Sequence, residues 1–183
     1  MNTQRTHYDP ILIALHWLML LLFILTYASM ELRGLFDKGT DGRAFMKTAH
    51  YVFGLSIFAL FWLRLLVKNL TDKPQGAALP LWQRRLAGLT QALLYALMSV
   101  QPLLGWLLIS AENTTVNVFG FTLPLLIAAN VDTAHTLEEA HEIIATIGYV
   151  LIGLHTVAAL FHYYVRKDGV MARMLPKLAN KTT

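Results

Sequence analysis

The sequence contains no cysteine among its 183 residues. Disulfides, thiol nucleophiles, iron–sulfur ligation and covalent haem attachment through a Cys-x-x-Cys-His motif are therefore excluded. Charged residues are also scarce, at 14% of the chain, whereas about a quarter of the residues in a typical soluble domain are charged. A glycine-rich nucleotide loop, a catalytic triad and a paired-carboxylate arrangement are absent as well. Any haem would have to be held by non-covalent axial ligands.

The residues that are present are strongly apolar, with 56% hydrophobic side chains. Four long apolar segments cover about residues 11–30, 48–67, 87–110 and 141–165. Each is long enough to cross a hydrocarbon core of about 30 Å at about 1.5 Å per residue, and backbone groups in lipid must be satisfied within the segment. We therefore predict an all-α fold: an integral membrane four-helix bundle that forms a single domain over residues 1–183.

The lysines and arginines predict the orientation of this bundle in the lipid bilayer. The first apolar run lacks a signal-peptide cleavage site, and the net charge of +4 is explained by basic cytoplasmic loops rather than by nucleic-acid binding. One face carries most of the basic residues: Arg5, Lys68, Lys73, Arg84, Arg85, Arg166, Lys167, Arg173, Lys177 and Lys181. The other face, called the outer end below, has only Arg33, Lys38, Arg43 and Lys47. The positive-inside rule then places both termini in the cytoplasm.

Four histidines within the apolar segments form a pattern by depth. His141 and His155 are 14 positions apart on the fourth segment, a rise of about 21 Å that returns to within about 40° of the same face. His50 is the candidate partner of His141 at the outer end, and His16 is that of His155 at the cytoplasmic end. Two stacked bis-histidine sites are what transmembrane electron transfer through haem requires.

Other interpretations of these histidines stay open from spacing alone. An intramembrane histidine often forms a hydrogen bond between helices, and it can also serve in a proton relay. Zinc is a rival metal, but it prefers four tetrahedral ligands, and neither a thiolate nor a suitable carboxylate cluster is visible. His162, seven residues beyond His155, could compete as the inner ligand, contact or protonate a quinone near the headgroups, or be an interfacial residue without a chemical role.

At these residues the sequence resembles the bacterial four-helix cytochrome b561 family. The likeness runs in order along nearly the whole chain, although the third segment is not distinctive. The matching motifs are Leu15-His16-Trp17-Leu18, Met30-Glu31-Leu32-Arg33-Gly34, Ala49-His50 with Gly54, Arg64-Leu65-Leu66, His141-Glu142, Gly148-Tyr149, Gly153-Leu154-His155, His162-Tyr163-Tyr164 and Lys167-Asp168.

The resemblance implies a di-haem cytochrome of the bacterial inner membrane that holds two haem b groups without covalent bonds. His16 and His155 would ligate the cytoplasmic-side haem, and His50 and His141 the periplasmic-side haem. Members of the family include a superoxide oxidase that passes electrons from periplasmic superoxide through both haems to ubiquinone. Because paralogues share the scaffold, the likeness does not by itself identify the substrate.

Several charged residues and glycines near the predicted sites have both a possible functional role and an ordinary structural one. Lys47 and Arg33 could attract superoxide or pair with haem propionates, or belong to an ordinary solvated loop. Arg64 could pair with an inner propionate or extend to the headgroups. Gly54 and Gly148 could admit a flat macrocycle or allow close helix packing.

The functional hypothesis is an oxidoreductase, a superoxide oxidase that reduces ubiquinone. The alternative is a cytochrome b subunit that relays electrons between a periplasmic dehydrogenase or hydrogenase partner and the quinone pool. A haem-free structural or proton-handling bundle is the third hypothesis.

Overall fold

The computed structural model describes residues 7–72, 74, 79–118 and 120–175; Arg5, Lys73, Lys177 and Lys181 lie outside them. It confirms a predominantly helical chain whose four main helices are long and apolar enough to cross a membrane. The elements in order are α1 (Pro10–Leu32), a 3₁₀ turn (Arg33–Leu35), α2 (Asp41–Leu70), α3 (Leu81–Ala111), β1 (Asn117–Val118), β2 (Phe121–Thr122), α4 (Val131–Phe161), one π-helical turn (His162–Arg166) and a second 3₁₀ turn (Met171–Met174).

Helices α1, α2 and α3 include the predicted apolar segments and extend beyond them, and polar residues cap the first turns of α1, α2 and α4. Helix α4 begins ten residues before its segment but ends at Phe161, so residues 162–165 of that segment lie in the π-helical turn. The Asp9 carboxylate accepts a hydrogen bond from the Ile11 amide at 2.9 Å, with Pro10 at the first helical position. Thr40 and Asn130 cap α2 and α4 through their side-chain oxygens. Such caps satisfy amides that have no partner within the helix. Consequently His50 and His141 lie well inside their helices rather than at the first turn.

The connection between α3 and α4 is shorter than the polar stretch from Asn113 to Leu137 suggested, because α4 already begins at Val131. Within it, β1 and β2 form a small antiparallel hairpin with Val118 opposite Phe121. Gly120 occupies the turn with a φ of 86°, a conformation that glycine adopts without a steric penalty. This hairpin is the only strand pairing in the described part of the chain.

The helices pack chiefly as two pairs, α1 with α2 and α3 with α4, and α2 also contacts α3. A buried cluster of Met19, Ile57, Phe61 and Met98 joins the first three helices. After α4 the chain returns to the start of α1, where the Tyr8 amide donates to the Arg173 carbonyl at 3.1 Å. The residues before α1 and after α4 therefore meet at the same end of the bundle.

Candidate functional site

The structure brings the four intramembrane histidines together as two pairs. The rings of His50 and His141 have centroids 6.2 Å apart and planes inclined at 77°. The rings of His16 and His155 have centroids 6.4 Å apart and planes inclined at 76°. These are the pairs that depth along the helices predicts. Each pair joins α4 to a different helix, α2 at the outer end and α1 at the opposite end, called the inner end below.

The outer pair lines a cavity of about 360 Å³ between all four helices. His50 is oriented by its Nδ1 atom, which lies 3.1 Å from the Thr26 carbonyl oxygen of α1. Gly54, one turn further along α2, also lines the cavity, and a Cβ atom added there would have nothing within 4 Å. Gly54 therefore leaves open space beside the histidine pair, as a flat ligand requires.

Helix α3 supplies no histidine, but it holds His141 in place. The Gln101 side-chain amide donates to the His141 carbonyl oxygen at 2.8 Å. A Cβ atom on Gly105, one turn later, would lie only 3.1 Å from Cε1 of the His141 ring. Gly105 thus allows the imidazole to lie directly against the α3 backbone.

Gly148 serves helix packing, the second of its two predicted roles. It is buried, and a Cβ atom there would collide with the Tyr27 hydroxyl and crowd Leu97. The Tyr27 hydroxyl donates to the Ala145 carbonyl at 3.0 Å, which links α1 to α4. Tyr149 stacks on Tyr27 with centroids 4.1 Å apart.

The Tyr149 hydroxyl also donates to the Glu31 carboxylate at 2.7 Å. This bond joins the end of α1 to the middle of α4 at the outer cavity, which both residues line. Glu31 is therefore part of the wall of the cavity rather than only a solvated acid of the loop.

The inner pair, His16 and His155, is bordered by Arg64 of α2. The Nη1 atom of Arg64 donates to the Leu12 carbonyl oxygen of α1 at 2.5 Å. The positive charge of Arg64 is also close enough to interact electrostatically with the His16 imidazole. The guanidinium group therefore points across to α1, and it also interacts with the Tyr95 hydroxyl of α3. The Trp17 ring contacts His16 edge-on at 5.5 Å, and its indole nitrogen donates to the Met174 carbonyl at 2.8 Å.

Arg33, in the 3₁₀ turn after α1, and Lys47, near the start of α2, border the outer pair. The Lys47 ammonium lies 5.9 Å from the centroid of the Tyr51 ring, which lines the outer cavity. Arg33 is half-buried, and its charge acts on both His50 and Tyr51. Arg43 has a structural role instead, because its guanidinium donates to the carbonyls of Arg33 at 3.3 Å and Phe36 at 3.1 Å.

His162 lies on the π-helical turn, apart from the two pairs. Its Nδ1 atom is 2.5 Å from a carboxylate oxygen of Asp168, because Lys167 adopts a left-handed conformation with a φ of 51° and turns the chain back. Partial burial disfavours the Asp168 carboxylate, but hydrogen bonds from His162 and the Val170 amide and the charge of Arg166 hold its pKa below the usual 3.8. An orienting carboxylate leaves Nε2 of His162 available for hydrogen bonding or proton transfer.

Zinc does not suit this arrangement. Within the described ranges, no group of three or more histidine, cysteine, aspartate or glutamate side chains is placed to hold a metal ion. Structural zinc requires four ligands and catalytic zinc three. Each histidine pair instead offers two imidazoles from opposite sides.

Comparison with known proteins identifies the family. The model of the prokaryotic cytochrome b561 family matches residues 7–177. The chain belongs to the prokaryotic cytochrome b561 family. It is 37% identical over 166 residues to "Cytochrome b561 homolog 1" of Escherichia coli (strain K12), covering 90% of this chain and 94% of that protein. It is 34% identical over 173 residues to "Probable superoxide oxidase CybB" of Yersinia pestis, covering 93% of this chain and 96% of that protein.

Membership of the cytochrome b561 family makes the chain a multi-pass bacterial membrane electron-transfer protein and implies a haem b cofactor. The histidine pairs fit that group. An imidazole nitrogen binds a transition metal at about 2 Å, with the ring centroid roughly 1 Å beyond, so two imidazoles on opposite sides of one iron have centroids about 6 Å apart. Both observed separations agree with this value. The open space at Gly54 and the buried, unpaired Nδ1 atom of His141 also fit a ligand seated in the outer cavity.

Sequence reasoning missed the contributions of Gln101, Gly105, Tyr27 and Asp168. Each acts through a contact between elements that are distant in the sequence or through the π-helical turn, and periodicity along one helix does not reveal either. The Gly148-Tyr149 motif was the one available indication of the Tyr27 contact.

Proposed function

We propose that this cytochrome carries electrons from periplasmic superoxide to ubiquinone through two haem b groups, each held by one histidine pair. His50 and His141 bind the outer haem, and His16 and His155 bind the inner haem. The observation that carries the proposal is the pair of imidazole separations, 6.2 Å and 6.4 Å, at two depths of one membrane-spanning bundle. Haem b supplies reversible one-electron chemistry, which the protein adjusts by axial ligation, burial and charge.

The stoichiometry of the reaction determines which end of the protein must supply protons. Two superoxide anions are oxidised to two molecules of dioxygen, and the two electrons with two protons convert one ubiquinone to ubiquinol. Oxidation of superoxide releases no proton and requires none. Proton delivery is therefore needed only where the quinone is reduced.

At the outer end, Arg33 and Lys47 attract the anionic substrate toward the histidine pair. Both charges act on Tyr51, a residue of the cavity wall. A basic group at the mouth of an apolar cavity raises the local concentration of a small anion and its encounter rate. The relative described as a probable superoxide oxidase supports this substrate.

At the cytoplasmic end, His162 contacts the quinone head group and delivers a proton to it. Asp168 orients the imidazole through the 2.5 Å contact with Nδ1, so Nε2 is left to face a ligand. Arg64 pairs with a haem propionate, because a guanidinium group has five N–H donors and the Leu12 carbonyl and Tyr95 hydroxyl use only part of them. This assignment places both termini in the cytoplasm, in agreement with the excess of lysine and arginine on that side.

A stopped-flow comparison tests the proposal. Purified protein with oxidised haem is mixed in turn with generated superoxide and with ubiquinol, and the haem absorbance is followed. We expect rapid reduction by superoxide and reoxidation of the reduced protein by ubiquinone. Reduction by quinol together with inertness toward superoxide would favour the relay subunit, in which a periplasmic protein is the physiological redox partner.

A further inference from the structure

Helix α3 contacts the outer histidine pair without contributing a ligand to it. Gln101 and Gly105 both line the outer cavity beside His141. The Gln101 amide nitrogen reaches the His141 backbone carbonyl at 2.8 Å, and the His141 imidazole lies against Gly105. The ring of His141 is therefore held between two successive turns of α3.

Two polar atoms at this contact are buried and have no hydrogen-bond partner: the Gln101 amide oxygen, Oε1, and the Nδ1 atom of His141. One is an acceptor, and the other is a donor in the tautomer whose Nε2 atom binds a metal. They belong to two residues that are already joined by the bond from the Gln101 amide nitrogen to the His141 carbonyl. Pairing them satisfies both, and a buried polar group without a partner is strongly disfavoured.

His50, the other histidine of the outer pair, already has a hydrogen-bond partner at its Nδ1 atom. Nδ1 of His50 lies 3.1 Å from the Thr26 carbonyl oxygen, so a neighbouring helix fixes the ring and the tautomer of that histidine. Histidines that bind metals almost always donate their second ring N–H to such an acceptor, which orients the ring and raises its basicity. Nδ1 of His141 has no such bond within normal hydrogen-bonding distance, although the Gln101 backbone lies close enough to act on this imidazole.

We infer that Gln101 is the positioning residue of His141, and that its amide oxygen accepts the Nδ1 proton when Nε2 binds the outer haem iron. The inference rests on the proposed function, in which His141 is a ligand. Gln101 then holds both the backbone and the ring of this histidine. A basic imidazole favours the oxidised iron, so the contact lowers the midpoint potential of the outer haem and sets the angle between the two ligand planes.

The test compares the purified wild-type protein with Gln101→Met and Gln101→Glu. Gln91→Met is the matched control, because Gln91 lies on the same helix and its side chain contacts Tyr95 rather than a histidine. Haem is counted by pyridine haemochrome assay, the midpoint of each haem is measured by redox titration, and the ligand-plane angle is read from the low-spin EPR signal of the oxidised protein.

We expect Gln101→Met to retain two haems, to raise the midpoint potential of one haem and to shift one EPR signal. Gln101→Glu should lower the same midpoint potential, because a carboxylate is a stronger hydrogen-bond acceptor than an amide. Gln91→Met should leave both haems unchanged. Unaltered midpoints and EPR signals in Gln101→Met, or shifts of the same sign in Met and Glu variants, would overturn the inference.

Further outcomes distinguish a failure of this inference from a failure of the proposed haem ligation. If Gln101→Met does not assemble, Gln101→Glu decides alone: a lowered midpoint with an altered EPR signal supports the role, and unchanged signals refute it. If His141→Ala still binds two haems, the ligand assignment itself fails, and the role of Gln101 fails with it. Two haems in wild type, one in His141→Ala and no effect at Gln101 would refute the inference alone.

Discussion

Removal of the Lys47 ammonium group should slow reduction by superoxide about threefold at low ionic strength. Lys47 lies 5.9 Å from the centroid of the Tyr51 ring at the outer cavity. A monovalent anion at that distance gains about 0.7 kcal/mol in a medium with the dielectric constant of water, which corresponds to about a threefold change in rate. The water value applies because Lys47 is exposed.

The assay is stopped-flow reduction of the haem by superoxide in Lys47→Ala at increasing salt concentration. The difference from wild type should be full at about 0.01 M salt, where the screening length is about 30 Å, and nearly absent at about 1 M, where it is about 3 Å. Lys38→Ala, which removes an equal charge from an exposed position in the connection between α1 and α2, is the matched control and should have a smaller effect.

Glu112 provides a test of opposite sign. Its negative charge also acts on Tyr51, so Glu112→Gln should accelerate reduction at low salt. Equal effects of Lys47→Ala and Lys38→Ala, a slower Glu112→Gln variant, or a difference that persists at high salt would refute the electrostatic reasoning.

Two further predictions concern the outer cavity and the turn after α4. Gly54→Leu should fill the open space beside His50 and abolish binding of one haem with little loss of helicity. Gly148→Leu should instead collide with Tyr27 and lower the thermal stability of the whole bundle. Haem assay and circular dichroism distinguish these outcomes, and identical effects of the two variants would contradict the separate roles. Because the folded pKa of Asp168 is lowered, its ionised form stabilises the turn at pH values above the usual 3.8, and this contribution is lost as the pH falls through the lower folded value. Asp168→Asn should therefore speed hydrogen exchange in the turn at neutral pH, and the difference from wild type should vanish in acid; a constant difference at all pH values would contradict the assignment.

The sequence was sufficient to predict the helices and the histidine pairs, because both depend on properties of single segments. Apolar runs of membrane-spanning length require helices, and the spacing of His141 and His155 places two imidazoles on nearly one face. His50 and His16 could be matched to them by depth alone. The structure adds the ring separations, which depend on how each helix is rotated about its axis.

Contacts between helices were not predictable in this way. Gln101 is an ordinary polar residue in an apolar run, and its role depends on the packing of α3 against α4. Gly54 and Gly148 cannot be distinguished by sequence, although Gly54 borders the outer cavity and Gly148 lies against Tyr27. The first turns of α2 and α4 were also missed, since they are polar and are stabilised by the caps at Thr40 and Asn130 rather than by hydrophobicity.

The haem content of single histidine variants tests the central claim most directly. Pyridine haemochrome assay of the purified protein should give two haems per chain for wild type, one for His141→Ala and one for His155→Ala, and none when both are replaced. His135→Ala, on the same helix but exposed and paired with Glu139, should retain two. Two haems in either single variant would contradict the account.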